Sequence, residues 1–384
     1  IFAGCSKIGT FLSCFNGCEK LTSVPANLFK NSGAQGTVYG KRGNGINMLF
    51  QNCKSLESIP EGLLDGFTKV TTLTSIFSGC SSLKSIPSGL FKDMAAVTGI
   101  GSAFSGCTSL KAVPEGVFEG LVKVSSFSGV FSGCTGITEV GANILAGCNK
   151  CTGIASMFQN CTSLSKVDEN AFSFSGTANI TSIADLFSGC TALKSVPENL
   201  FAGMTGLTGA KEVFMNSGLT SVPAGLFAHS AKITSFENAF KGCTSLTAVP
   251  DGLFAACAKV TSYKLAFQGC TSLETAGKAF GTNISKINLE SIFDGCTSLR
   301  SIAEGIFDGL TGADSFVKAF YGCTSLENVP EKLFAKNINV TTASSCFQGC
   351  TALKAVPAGL FGTTTKTKTL TRMFSGCSSI ETIA

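Results

Sequence analysis

Tryptophan is absent from this 384-residue sequence, tyrosine occurs three times, and histidine once, as His229. Charge is also scarce: 14% of residues are Asp, Glu, Lys or Arg, and the formal net charge is +5. No block of Lys and Arg makes the dense basic footprint that nucleic acid or an anionic membrane surface needs, so neither partner is expected. No apolar run approaches the ~18 to 20 residues of a membrane span, so no membrane insertion is expected within this chain. The first ten residues lack the basic start and apolar stretch of a signal peptide. With one histidine, Ser/His/Asp or Cys/His chemistry has a single possible centre, and no other cluster of catalytic side chains stands out. The chain is expected to be no enzyme and to use no cofactor.

Phenylalanine (32), glycine (44) and cysteine (19) are abundant, and 44% of residues are hydrophobic, enough for a substantial core. These residues recur in register. Phe-x-x-Cys places cysteines at 18, 53, 80, 107, 134, 161, 190, 243, 270, 296, 323, 350 and 377, with Ser217 replacing one. Nine of the thirteen intervals are 27 residues; the others are 35, 29, 26 and 26. All nine prolines fall six or seven residues after this column. Apolar positions step by three, as in Phe131, Cys134, Ile137 and Val140, which fits neither a continuous helix nor a long alternating strand. The pattern predicts short extended arcs joined by tight turns, and each unit divides into two similar halves.

One such unit cannot bury its apolar face alone, so neighbours must stack. We therefore expect a single repeat solenoid over residues 1–384, with about 14 coils of 27 residues, beginning and ending mid-repeat. At about 4.8 Å per coil its length would be on the order of 70 Å. The composition break is the Gly-rich stretch 30–47, expected to be a loop insertion.

The string Phe-x-x-Cys-x-x-Leu-x-x-Ile/Val-Pro, as in residues 104–114 and 240–250, resembles the BspA-like leucine-rich repeat family of surface proteins. The resemblance implies a parallel sheet on one face, with turns and short helical segments on the other. It also implies an extracellular or cell-surface scaffold for adhesion or protein interaction. Departing from the family, the unit here is longer than the common form of about 23 to 25 residues.

The cysteines share their columns with apolar residues: Cys148 and Cys257 align with Leu121, Cys151 with Val124, and Cys14 and Cys346 with Val130. This register predicts a ladder of core thiols, since a free cysteine behaves as a small hydrophobe with a weak S–H donor. Disulfides between stacked neighbours are the alternative. Cys148-x-x-Cys151 lacks the second pair of ligands that zinc requires, so no metal site is expected. His229 stands where other repeats carry Gly, Asp or Ala and is read as a surface turn residue. The stretch 36–42 has glycines and a lysine but neither the spacing nor the following Ser/Thr of a phosphate loop.

Two charge columns remain. Glu61, Glu115, Glu198, Asp251, Glu304 and Glu331 follow the proline column or its equivalent, where a carboxylate would favour a helical first turn. Lys7, Lys69, Lys123, Lys150, Lys232 and Lys259 form a solvated edge that could instead bind an anionic glycan or a protein. With Tyr39, Lys41 and Arg42 of the insertion, the last five of these lysines are the partner-binding candidates. Asn160, Asn179, Asn283 and Asn339 match the N-glycosylation pattern by composition alone.

Neither end has the polar capping repeat that normally closes a solenoid. Two explanations are open. The chain is a segment of a larger surface adhesin, or its ends stack head to tail into an extracellular filament. Ile1, Phe2, Ile8, Phe11, Phe374, Ile380 and Ile383 are the end-contact candidates.

Overall fold

The computed structural model describes residues 2, 5, 8–30 and 45–384. The chain divides into two compact units, Ile1–Leu193 and Lys194–Ala384. Each unit is a β-solenoid whose successive coils lie about one 27-residue period apart in sequence.

In the first unit β1 (Ala112–Val113), β2 (Glu139–Val140) and β3 (Lys166–Val167) pair in parallel, Val113 opposite Val140 and Val140 opposite Val167. In the second, β4 (Ala248–Val249), β5 (Thr275–Ala276) and β7 (Ser301–Ile302) form one parallel sheet. There β6 (Ile287–Asn288) pairs with β8 (Ala313–Ser315), and β9 (Ala355–Val356) with β10 (Thr382–Ile383). A second column of parallel bridges runs through the other half of each coil: Ser126, Gly153 and Ser182 in the first unit, Gly209, Ser235, Ser262 and Asn288 in the second. Pairing is therefore not confined to one face, because both half-units close the same turn after a phenylalanine, as Leu121 N–H to Phe118 O at 3.0 Å and Cys134 N–H to Phe131 O at 3.1 Å. The short helical segments implied by the family resemblance reduce, among the described residues, to one 3-10 turn, Thr177–Asn179.

The turn around Phe-x-Gly-Cys sets the coil geometry. Cys80 N–H donates to Phe77 O at 3.1 Å and Ile76 N–H to Leu73 O at 3.2 Å, closing tight turns within the coil. Between them Ser75, Phe77 and Gly79 donate to Gly101, Ala103 and Ser105 of the next coil at 2.7–3.0 Å. No backbone N–H of this segment is left to water. The residue before each cysteine of the Phe-x-x-Cys column, Cys18 through Cys377, takes a left-handed φ, as Gly79 (75°), Gly106 (74°) and Asn52 (59°) do. That is the requirement of the third position of a type II turn, where glycine and asparagine are favoured. A second left-handed column lies two residues before each phenylalanine and admits Ser75, Asp185 and even Leu265 (60°).

The cysteines complete the same lattice. In the first unit the thiols of Cys53, Cys80, Cys107, Cys134, Cys161 and Cys190 each donate to the carbonyl of the preceding coil's motif phenylalanine at 3.0–3.3 Å. Six thiols of the second unit, from Cys243 to Cys377, do the same at 3.0–3.2 Å. Leucine could fill this volume but could not donate to the carbonyl. Phenylalanines stack beside them: Phe15, Phe50, Phe77, Phe104, Phe131 and Phe158 have successive ring centroids 5.3–5.7 Å apart and planes within 15°. Phe214, Phe240, Phe267, Phe293, Phe320 and Phe347 stack likewise in the second unit at 5.2–5.5 Å with planes within 18°. Aromatic contacts of this kind contribute about 0.5–1.5 kcal/mol per pair beyond area burial.

Two substitutions probe this packing. A Cβ on Gly79 would run into the Asn52 side chain, whereas on Gly106 it would meet only Gly79 backbone at 3.7 Å. Gly79→Ala should therefore lower the thermal midpoint clearly more than Gly106→Ala, although both bear a left-handed cost of about 1–2 kcal/mol. Equal shifts would refute the asparagine contact. Ser230 is fully buried with its hydroxyl unpaired, at a position where Cys257 follows in the next coil. Ser230→Ala is expected to stabilise by about 1 kcal/mol in urea unfolding, and a loss of stability would contradict this account.

Candidate interaction surface

The core positions are fixed, so recognition must use the columns that point outward. Along the sheet the residue four after each cysteine is outward-facing, and its identity changes from coil to coil. In the first unit it is Glu57, Lys84, Lys111, Thr138 and Ser165, all exposed; in the second it is Glu274, Arg300, Glu327, Lys354 and Glu381. Neighbours of opposite sign in this column form an ion pair in each of two places. Lys84 Nζ lies 2.7 Å from Glu57, and Lys354 Nζ 2.6 Å from Glu327. The hydrogen bond from Lys84, and then its charge, hold the Glu57 carboxyl below the usual range; Lys354 does the same for Glu327. Lys54–Glu19, Lys92–Asp65, Lys211–Glu237 and Lys264–Glu290 are further inter-coil pairs at 2.8–2.9 Å. Being solvent-exposed, such pairs set local register more than they stabilise.

Exposed Thr columns tie adjacent coils together. Thr98, Thr152 and Thr181 donate Oγ1–H to carbonyls of Thr71, Ser125 and Thr152 at 3.0–3.2 Å, and Thr234 and Thr261 to Thr208 and Thr234 at 3.1–3.2 Å. The hydroxyl oxygens keep lone pairs facing solvent.

The expected lysine edge is present. Lys69, Lys123, Lys150, Lys232 and Lys259 are all exposed, in equivalent positions of their coils. Sequence reasoning missed Lys286, which continues the column one period after Lys259 and pairs with Asp314 at 2.8 Å. Its 27-residue spacing from Lys259 was the signal. Charge pairing between coils was missed too, although opposite charges one period apart announce it. Tyr39, Lys41, Arg42, Lys7 and Ile1 lie outside the described residues. Among the other end candidates, Phe2 packs against Phe11 at 4.9 Å and Phe374 on Phe347 at 5.5 Å. Phe11 is buried, Ile8 and Ile380 are half-buried, and Ile383 is 79% exposed. Of the insertion 30–47, residues 31–44 are outside the described residues, while Ile46 is fully buried.

The acidic column corrects a sequence expectation. No helix starts there; instead Glu198 Oε1 accepts from Gly225 N–H at 3.0 Å and Asp251 Oδ1 from Lys278 N–H at 2.6 Å, both one coil on. The carboxylates satisfy the backbone of a tight turn in the next coil. Near this edge Glu304, Asp308, Glu331, Lys332 and Lys336 line a shallow hollow of about 380 Å³. Of the glycosylation matches, Asn283 is buried, donating to Val260 O and accepting from Ser285 N–H, so its amide is not available for modification. His229 is exposed. Among the described residues no group of three or more His, Cys, Asp or Glu is arranged to hold a metal, and no helix is long and apolar enough to cross a membrane.

Sixteen of the nineteen cysteines are buried, but Cys5, Cys14 and Cys18 are exposed, so the core ladder expected from register does not include Cys14, although it shares Val130's column, or Cys18. Burial pushes the thiols of Cys80, Cys148, Cys190 and Cys257 up to about 12, and those of Cys53, Cys151 and Cys243 up to about 11. A raised thiol pKa leaves stability intact below the unfolded value near 9 and withdraws it as pH rises toward the folded value. The thermal midpoint should therefore hold to about pH 8.5 and fall steadily through pH 9 to 11. In the native protein at pH 8 the buried thiols should react with a thiol reagent only on unfolding. Rapid native reaction of more than three thiols would contradict the ladder.

The profile of the family described as BspA type leucine rich repeat region, in six copies, matches residues 22–261, 167–298, 237–354 and 261–384. Comparison with curated proteins finds no match. Among solved structures, the chain is similar to a leucine-rich repeat protein from Bacteroides ovatus (20% identity, 97% of this chain and 80% of that one, TM-score 0.36). It is also similar to a leucine rich cell surface protein from Faecalibacterium prausnitzii (18%, 85% and 82%, TM-score 0.31). A third similar structure is a leucine-rich repeat protein from Eubacterium ventriosum (15%, 83% and 86%, TM-score 0.36).

Proposed function

The chain belongs to the BspA type leucine-rich repeat family, and from that premise we propose that it is a non-enzymatic scaffold outside the cell, binding a protein partner for adhesion through its sheet-side column. One observation carries this reading. The backbone lattice repeats from coil to coil, while the outward sheet position changes freely among Glu57, Lys84, Lys111, Thr138 and Ser165. A rigid frame with a variable outer column favours binding because the contact residues are held in place before the partner arrives. No group on this column has the nucleophile–base or paired-carboxylate arrangement that catalysis requires.

The test is binding of the full chain to a panel of purified extracellular-matrix proteins by surface plasmon resonance. Saturable binding to at least one, weakened about tenfold or more by Lys84→Glu with Lys111→Glu, is expected; a tenfold change corresponds to about 1.4 kcal/mol. Binding that never saturates, or that ignores these changes, would count against the sheet column. Antibody should label intact source cells. Labelling only after permeabilisation would overturn the extracellular placement.

A further inference from the structure

In the second unit, charges stacked one coil apart alternate in sign. One column reads Glu274, Arg300, Glu327, Lys354 and Glu381, and another Lys211, Glu237, Lys264 and Glu290. Where two acids stack, Glu304 and Glu331, the cations Lys332 and Lys336 line the same hollow. One edge departs from this rule. Lys232, Lys259 and Lys286 each precede the same buried position, Ile233, Val260 and Ile287, in three successive coils, and the bridge Ser235↔Ser262 holds the first two in register. Like charges directly opposite on adjacent strands, about 5 Å apart, are unfavourable. Lys286 is relieved by Asp314, but Lys232 and Lys259 have no acidic partner within 4 Å among the described residues.

Around Lys232 and Lys259 the turn segments supply no carboxylate either. The turn segments beside the three lysines, 228–231, 255–258 and 281–285, hold only Ala, Gly, Ser, Cys, Thr, Asn, Ile and the exposed His229. On the other side, alternating burial puts exposed Thr234 beside Lys232, Thr261 beside Lys259, and Asn288 beside Lys286. Thr234 and Thr261 give their hydroxyl protons to backbone carbonyls, so toward solvent they act as acceptors.

We propose that this edge binds a linear anionic polysaccharide laid along the stack, its sulfates or carboxylates on Lys232, Lys259 and Lys286 and its hydroxyls donating to Thr234 and Thr261. A row of cations one coil apart matches a polymer with regularly spaced charge, and the bound polymer removes the repulsion that the empty edge tolerates. Apart from His229, the turn residues beside Lys232 and Lys259 are alanine, serine and cysteine, so a ribbon of sugars can lie close there; beside Lys286, Ile284 is exposed. The His229 imidazole is the one ring in these turn segments and no guanidinium lies there, whereas single-stranded nucleic acid needs a succession of stacking platforms. An acidic peptide would meet the lysines but offers few hydroxyl donors for the threonines. This edge is separate from the sheet-side column, so the proposal stands without the protein-binding reading.

The full chain is titrated calorimetrically with a heparin dodecasaccharide as the sulfated probe and a hyaluronan oligomer as the carboxylated one, with neutral dextran as control. Binding of at least one anionic probe and none of dextran is expected, weakening as salt screens the charges. Lys232→Gln with Lys259→Gln should weaken binding tenfold or more, while Lys211→Gln with Lys264→Gln, which removes the same charge from paired positions, should change it less than twofold. The proposal is overturned if the first pair binds as tightly as the parent, if both pairs lose alike, or if poly-glutamate of equal charge competes as well as the oligosaccharide.

Discussion

The structure depends on one hydrogen-bonding arrangement, repeated coil after coil: the carbonyl of the motif phenylalanine. Phe50 O accepts the backbone N–H of Cys53 in its own coil and the thiol of Cys80 in the next. Both lone pairs of a buried carbonyl are thereby used, which removes a desolvation penalty of about 1–3 kcal/mol per group. The left-handed residue before the cysteine is what aims that carbonyl along the stack. Phenylalanine, glycine or asparagine, and cysteine are thus a single device: ring for the core, turn for the direction, thiol for the leftover acceptor. Where serine replaces the cysteine, at Ser217, its hydroxyl still meets the next thiol, Cys243, at 3.4 Å. The column tolerates another small hydrogen-bonding side chain there.

A stack of this kind is stabilised by nearest neighbours, each coil adding its interface to the last. This explains why the charges are arranged as they are. A charged side chain on one coil has its closest exposed neighbours directly above and below, so alternating signs down a column, as in Lys211, Glu237, Lys264 and Glu290, relieve repulsion without touching the core. Asparagine at the left-handed position obeys a related rule. Asn52, Asn160 and Asn216 are each followed one coil on by glycine, at 79, 189 and 242, because their side chains cover the space a Cβ would need. Neighbouring coils therefore constrain each other's sequence at particular positions.

Much of this was legible in the sequence because periodicity reports burial directly. The Phe-x-x-Cys column, the prolines and the interior placement of Cys148, Cys151, Cys257 and Cys346 all follow from register, and each of these cysteines is buried. What was not legible turns on hydrogen bonds rather than on hydrophobicity. Glu198 and Asp251 looked like helix-start residues because Pro-Glu is ambiguous between a helix and a tight turn; the turn wins because the next coil presents an N–H to each carboxylate. The second bridge column was hidden in the same way, since Gly153, Ser182 and Ser235 lack the β-branched signature of a strand and pair through single bridges.

The division between fixed and free positions bears on function. In each coil the buried column is held by packing and by the phenylalanine carbonyl, whereas an outward residue on the sheet or turn edge contributes little to the fold. Such positions can change composition independently of the architecture. A column whose residues alternate in sign answers to its own neighbours and needs no partner. A column that stacks like charges is disfavoured by those neighbours; Asp314 relieves Lys286, but Lys232 and Lys259 stack with no ion pair among the described residues, and their persistence points to something outside the stack. In a protein whose interior is nearly invariant from coil to coil, breaches of the local charge rule are the most direct pointer to where the outside world makes contact.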